Sequence, residues 1–201
     1  MKILVLYYSM TGNTYRMAQL VAEGAREAGA DVDIKTVPEL IPVETIEADE
    51  ALKRAKEAQK EVPIAEPEEL RSYDGIIVGT PTRFGNMSSQ MRNFWDRTGG
   101  LWGQGALIDK PVGVFCSTSS MHGGQETTLI ASMMTFFHHG MIVVGVPYSV
   151  QQLVTTQSGG TPYGPTHVSG HPPTNPITEE EKAICRALGK RLAELASKLS
   201  S

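Results

Sequence analysis

A short apolar run, followed at once by a small polar loop and a helical pattern, constrains this chain most. Residues 3–8 are continuously apolar, which is typical of a strand buried on both faces of a parallel sheet. The loop 9–14 is rich in hydroxyl groups, and apolar residues recur at helical spacing over 15–28. The free amides and the dipole at a helix N-terminus attract anions. The unit therefore predicts an anion site.

This loop predicts a site for a single phosphate group held by neutral donors. It contains no lysine or arginine, whereas a triphosphate loop of the Walker type needs Gly-Lys-Ser/Thr at its end. The chain also lacks the Gly-x-Gly-x-x-Gly turn of dinucleotide-binding folds. The predicted donors are Ser9, Thr11, Asn13 and Thr14, together with the backbone amides between them, which include those of Met10 and Gly12.

Apolar runs alternate with helical patterns along the rest of the chain. The runs cover 32–37, 75–79, 111–116 and 141–146, and the helical patterns cover 88–97, 125–139 and 178–199. This alternation predicts an α/β fold, a doubly wound sheet of five parallel strands in the order 2-1-3-4-5 with helices on both faces. We expect one domain over residues 1–201. Thr178 and Glu181 predict a capping box before the last helix.

Two stretches depart from the alternation. Residues 38–70 form an insertion whose charged, alanine-rich part, 48–62, is either a partner-docking helix or a solvated surface helix. The second alternative is favoured, because exposed charged helices need no special role. Residues 147–176 are dense in Gly, Pro, Ser and Thr, and a loop of that length is usually functional or mobile.

Composition argues against several classes of protein. The formal charge of −4 is unlike that of a nucleic-acid-binding domain, which is usually basic. Cys116 and Cys185 are too few for a disulfide scaffold or a zinc cluster, and no His-x-Glu motif offers a metal site. No apolar run approaches the ~18–20 residues of a membrane span, and no signal peptide is evident. We expect a cytoplasmic protein with no metal, nucleic-acid partner or membrane span.

Three polar loops are expected to meet at one edge of the sheet. In an open doubly wound sheet, ligands bind beyond the carboxyl ends of the strands, where the strand order reverses. With the order 2-1-3-4-5, the loops 9–14, 80–87 and 117–124 flank that crevice. Each loop alone resembles an ordinary turn, but their convergence predicts a binding site.

These loops suit a flat heteroaromatic ligand with a phosphate tail. Phe84, Pro81 and Met87 can cover a ring face, while backbone groups read the polar edge. Arg83 either stabilises charge on a ligand or forms a surface salt bridge. Because acid–base machinery is lacking, the pattern favours chemistry carried out by a bound cofactor.

Trp102 and a histidine pair leave alternatives open. Trp102 lies among glycines, where it either forms the wall of a site or interface or is partly buried on the domain's own surface. His138 and His139 precede Gly140, which favours cationic capping of a helix C-terminus with Gly140 as its left-handed stop.

Several motifs together resemble one known family. They are the loop 9–14, Gly79-Thr80-Pro81-Thr82-Arg83-Phe84-Gly85-Asn86-Met87, Gly99-Gly100-Leu101-Trp102, Gly123-Gly124-Gln125-Glu126, His138-His139-Gly140 and Gly160-Thr161-Pro162-Tyr163-Gly164. From Lys2 to its last helix, the chain is similar to the WrbA-type NAD(P)H:quinone oxidoreductases, which are flavodoxin-like FMN proteins. The first loop alone would indicate only a flavodoxin-like fold.

The resemblance implies FMN as cofactor, NADH or NADPH as electron donor and small-molecule quinones as substrates. It implies that loop 9–14 holds the phosphate and that His138, a candidate catalytic residue, lies near the flavin. Trp102 matches the family's substrate-stacking tryptophan, and Thr11 lies where the nicotinamide nucleotide is contacted. The family's assembly implies a homotetramer with shared active-site cavities, with the Trp102 segment and loop 147–176 as candidate contacts. The other implied flavin-binding residues are Pro81, Thr82, Arg83, Phe84, Gly85, Asn86, Ser117, Thr118, Ser119, Ser120, Met121, His122 and His138.

Two departures from the family pattern bear on these expectations. Thr11 stands where many members carry tyrosine, so the nicotinamide contact is weaker or different. Ser119, Met121 and His122 replace glycines that are common in the family. If those glycines use positive φ, side chains there would reshape the loop at some cost, and His122 could also contact the ligand.

The expected reaction is a two-step exchange at one site. Reduced nicotinamide delivers hydride to the flavin, and a quinone then takes its place and accepts two electrons. One alternative is a flavodoxin-like one-electron carrier, against which the modest charge and the Trp102 loop both argue. Another is a flavin-free regulatory or interaction protein, which would be colourless and would not bind added FMN.

Overall fold

The strand β1 (Lys2–Tyr7) lies inside a parallel sheet and is buried on both faces. Leu4 and Leu6 point to one face, and Ile3 and Val5 to the other. This is the alternation that a strand between two helical layers requires. The computed structural model describes residues 1–200.

The predicted strand order is confirmed. The sheet runs β2 (Asp31–Thr36), β1, β3 (Gly75–Pro81), β4 (Pro111–Thr118) and β5 (Ile142–Val143), and neighbouring strands are parallel. In the central register Val5 pairs with Ile34 on one side and Ile77 on the other.

Helices cover both faces of the sheet. The helices α1 (Asn13–Glu27) and α8 (Glu179–Leu199) pack on one face. On the other lie α4 (Ser89–Asp96), α5 (Gly99–Gly103) and α6 (Gln125–His138). The predicted capping box begins α8, with the Glu181 amide donating to Thr178 Oγ1 at 3.2 Å and the Thr178 amide to Glu181 Oε2 at 2.9 Å.

A sixth strand, which the sequence pattern did not predict, shares the sheet edge with β5. The strand β5 pairs only with Pro111 and Val112, whereas β6 (Thr166–Val168) pairs with the other end of β4, at Cys116–Thr118. Only two residues of the predicted run 141–146 are therefore strand, because the chain leaves the sheet after Val143 and returns at Thr166. The excursion contains the short helix α7 (Gln152–Thr155).

The insertion after β2 folds into α2 (Val43–Glu47), α3 (Glu50–Glu57) and a 3₁₀ helix (Pro67–Ser72). The outer face of α3 is exposed, as predicted, but Leu52 is buried. The Asp49 carboxylate caps this helix by accepting from the amides of Ala51 and Leu52 at 2.8 and 3.1 Å. None of the helices within residues 1–200 has the length and apolar composition that crossing a membrane requires.

Candidate functional site

The carboxyl ends of β1, β3 and β4 open on one cleft, with a cavity of about 200 Å³. Each of the three polar loops contributes to its walls. The lining residues predicted from the sequence are Met10, Thr11, Asn13, Thr14, Pro81, Thr82, Arg83, Ser117, Thr118 and Ser119.

The first loop is built to leave amide donors free. Ser9 Oγ accepts the Gly12 N–H at 3.1 Å, and Gly12 has φ 89°, a left-handed conformation that glycine adopts without cost. No side chain caps α1, so the amides of its first turn point beyond the helix end. Ser9 and Gly12 shape the loop rather than line the cavity. The arrangement suits a phosphate group.

The second loop is a tight turn that presents an aromatic ring. The Arg83 and Asn86 amides donate to each other's carbonyls at 2.8 and 3.0 Å, and Phe84 and Gly85 between them have φ of 52° and 76°. The Phe84 side chain is fully exposed. Gly85 and Asn86 shape this turn and lie outside the cavity lining.

Arg83 crosses the cleft instead of forming an ion pair. Its guanidinium donates to the Thr82 carbonyl at 2.8 Å and to Met10 Sδ at 3.2 Å. Within residues 1–200 it contacts no carboxylate, so the surface salt bridge considered from the sequence is not formed.

The third loop divides into a buried and an exposed part. Ser117 and Thr118 end β4 inside the protein, whereas Ser119 and Ser120 are exposed, as are Met121 and His122, and only Ser119 of these four lines the cavity. None of the residues that replace family glycines has positive φ, since the left-handed position of this loop is at Gly124. These side chains therefore impose no backbone strain.

A fourth wall of the cleft was missed by the sequence analysis. It consists of Ser169, Gly170, His171 and Pro173, which follow β6. Ser169 is held to β4 by donation from its amide and its hydroxyl to the Thr118 carbonyl, at 2.8 and 2.9 Å. Asn13 Nδ2 donates to the Pro173 carbonyl at 3.3 Å. The only signal was the length and composition of the loop 147–176.

Trp102 and His138 lie together, but in a second cavity of about 490 Å³ that shares no lining residue with the first. The indole N–H of Trp102 donates to the His138 carbonyl at 2.8 Å. His138 is the exposed last residue of α6, and Gly140, with φ 71°, follows as the left-handed stop. Within a single chain, the side chains of Trp102 and His138 therefore do not reach the cleft.

The neighbouring His139 has a structural environment. Its Nε2 lies 2.9 Å from Thr98 Oγ1, and its ring packs edge-on against Trp95. Burial, and secondly the nearby His138, lower the pKa of His139.

Cys116 and Cys185 are also buried, and burial raises the pKa of each thiol, which makes both unreactive. Residues 1–200 contain no cluster of His, Cys, Asp and Glu suited to a metal.

A family model for NADPH-dependent FMN reductases matches residues 1–153. The chain belongs to that family. It is 52% identical over 202 residues to a protein of Chromohalobacter salexigens named NAD(P)H dehydrogenase (quinone), with 99% of this chain and 98% of the relative covered. A protein of the same name from Gluconacetobacter diazotrophicus is 46% identical, with 100% and 99% covered. The resemblance drawn from the motifs is confirmed.

Solved structures with the same fold are consistent with the assignment to the FMN reductase family. A WrbA-like flavodoxin from Agrobacterium tumefaciens is 25% identical, covers 98% of each chain and has a TM-score of 0.64. An archaeal flavodoxin, 20% identical over the whole of both chains, has a TM-score of 0.61 and supports the fold alone. The neutral donors and uncapped helix of the first loop fit the phosphate of FMN, the cofactor of this family.

Proposed function

We propose that this chain is an FMN-dependent oxidoreductase that transfers two electrons from NADH or NADPH to quinones, giving quinols. The observation that carries the proposal is the single cleft formed at the carboxyl ends of β1, β3 and β4. Its position is where open α/β sheets bind ligands, and its donors match a phosphorylated flavin. Relatives with nearly full-length similarity are named as quinone dehydrogenases.

Bound FMN would supply the redox chemistry, accepting hydride from the nicotinamide and delivering electrons to the quinone. The chain's own contribution is to bind and orient. Thr11, Asn13 and Thr14, with the amides of the first loop, hold the phosphate. Pro81, Thr82 and Arg83 line one side of the ring system, and Ser117, Thr118 and Ser119 line the other. The bond from the Thr82 amide to the Ser117 carbonyl, 2.9 Å, fixes these two walls relative to each other.

We propose that Trp102 and His138 act on the quinone bound at a neighbouring subunit's flavin. Both line a cavity separate from the cleft of their own chain, which is consistent with a homotetramer that shares its active sites. Trp102 offers an exposed ring for stacking, and His138 is placed to deliver a proton to a quinone oxygen.

Thr11 is the proposed nicotinamide contact. Since the electron donor is an intracellular nucleotide, we propose that the enzyme works in the cytoplasm.

The test is spectroscopic and kinetic. Added FMN should remain with the protein after gel filtration, and NADH oxidation should depend on benzoquinone. Two-electron transfer should give one quinol for each NADH oxidised. A quinone reduced by only one electron would reduce added cytochrome c, so no such reduction is expected. Replacing His138 by alanine should lower quinone turnover while FMN stays bound. A protein that does not retain FMN would overturn the proposal.

A further inference from the structure

Lys56 of the insertion helix α3 contacts the back of the first loop. Its ammonium donates to the Ser9 carbonyl at 3.0 Å, lies 2.5 Å from Glu39 Oε2 and sits 4.5 Å above the Tyr8 ring. The ammonium therefore donates to a backbone carbonyl while its charge faces a carboxylate and an aromatic ring. Only about a quarter of the side chain is exposed (24%), so Lys56 is not a freely solvated lysine.

The carboxylate of Glu39, which pairs with Lys56, is itself held by further hydrogen bonds. The Tyr8 hydroxyl donates to the Glu39 carboxylate at 3.0 and 3.1 Å, and Gln90 Nε2 donates to it at 3.1 Å. Burial alone would raise the pKa of Glu39, but hydrogen bonds from Lys56 and the Ile41 amide outweigh it and lower the pKa to about 2. Glu39 therefore remains a carboxylate at neutral pH and keeps its bond to Lys56.

The contact with Ser9 fixes the direction of the next amide. In a trans peptide the C=O and N–H groups point in opposite directions. Because the Ser9 carbonyl points to Lys56, behind the loop, the Met10 N–H points the other way, and Met10 lines the cleft. This N–H has no acceptor within residues 1–200. A cation on the carbonyl also polarises the peptide and strengthens its N–H as a donor.

We propose that Lys56 is a positioning residue for the cofactor phosphate, holding the Ser9–Met10 peptide so that the Met10 N–H donates to it. The inference rests on the proposed placement of the FMN phosphate in the first loop. It gives the insertion a role in binding: from outside the cleft, α3 supplies the donor that orients a backbone N–H of the loop. The helix lies beside the loop, since a Cβ added at Gly12 would be in van der Waals contact with the Ala55 Cβ, at 3.9 Å.

The experiment compares the dissociation constants of FMN and riboflavin, which lacks the phosphate, measured by quenching of flavin fluorescence. Lys56→Met should weaken FMN binding by about tenfold, the value of one charge-assisted hydrogen bond, with riboflavin binding unchanged. Lys56→Arg should retain most of the FMN affinity. The matched control is Lys53→Met, on the same helix, whose ammonium pairs with Glu47 at 3.2 Å. This control should bind both flavins as the unchanged protein does.

Two results would overturn the inference: FMN binding by Lys56→Met as tight as that of the unchanged protein, or equal weakening of FMN and riboflavin. Equal affinity of the unchanged protein for FMN and riboflavin would instead overturn the phosphate placement itself. Should Lys56→Met fold poorly, Lys56→Gln, which keeps a neutral polar group on a shorter stem, serves in the same comparison.

Discussion

Phe84 holds a left-handed backbone conformation, φ 52°, with its ring fully in solvent. The turn needs positive φ at both central positions, for which asparagine followed by glycine is the favoured sequence. Phe84→Asn should therefore raise the free energy of unfolding of the flavin-free protein by about 1 kcal/mol, measured in urea. Quinone turnover should fall, because the exposed ring is lost. Gly85→Ala, at φ 76°, should change stability in the opposite direction. If Phe84→Asn proved less stable, the aromatic ring would be stabilising the turn instead.

How far the site could be predicted also depends on individual residues. The positions of the loops 9–14 and 80–87 at the ends of strands were predictable, because each loop follows an apolar run of the kind that a buried strand requires. Lys56 was not, since its spacing is that of any surface lysine and its partners, Glu39 and the Ser9 carbonyl, are remote in sequence. The second cavity was not predictable either. Trp102 and His138 are distant in sequence and come together only in the folded chain.

The helices α1 and α8 approach each other through a glycine on each. A Cβ at Gly189 would lie 1.9 Å from the Val21 carbonyl oxygen, and one at Gly24 would lie 2.0 Å from that of Arg186. Alanine usually stabilises a helix by about 1 kcal/mol relative to glycine. Here Gly189→Ala must push the helices apart, and we expect a loss of about 1–3 kcal/mol in thermal or urea unfolding. The control is Gly100→Ala in α5, which has no atom within 4 Å of the new Cβ and should not destabilise.

Glu181 joins α8 to β6 and to the loop before it. Its buried carboxylate accepts from His167 Nδ1 and the Gly159 amide, both at 2.8 Å, and from the Thr178 amide at 2.9 Å. Burial alone would raise its pKa, but the bonds from His167, Thr178 and Gly159 lower it overall. A lowered pKa stabilises the fold above the ordinary value of about 4.3, and this contribution is lost as the pH falls through the folded-state pKa.

Glu181→Gln should therefore lower the free energy of unfolding at pH 7 by about 1–3 kcal/mol, the cost of leaving buried donors without their carboxylate acceptor. It should also reduce the loss of stability on acidification. Unfolding in urea from neutral to acid pH measures both effects. Unchanged stability at pH 7 would show that the pair contributes nothing net.

The strand β6 shows why part of the fold was not predictable. It has three residues, and two of them, Thr166 and His167, are polar. It is a strand because β4 and Glu181 supply its partners, not because of any pattern of its own. In contrast, β3 and β4 are buried along nearly their whole length, as their apolar runs indicated. Local pattern thus predicted the strands that sheet burial requires, but not a segment recruited by contacts distant in sequence.

At the scale of the molecule, α6 carries an apolar face without a partner in one chain. Ile130, Met134 and Phe137 recur at helical spacing and are 41%, 49% and 56% exposed. A contiguous face of this kind marks an interaction surface, and we expect it to bury against another subunit. Phe137→Glu should therefore give a smaller assembly in light scattering after gel filtration. The control is Val43→Glu, an exposed apolar residue of α2, which should leave the assembly unchanged.

The same variant separates cofactor binding from turnover. The cleft is lined by one chain, whereas Trp102 and His138 lie in the other cavity, at the end of the apolar face. Phe137→Glu should accordingly keep its FMN affinity while its quinone turnover falls together with the fraction of assembled protein. Full turnover by a stable monomer would mean that each chain completes its own active site, and Trp102 and His138 would then have no part in it.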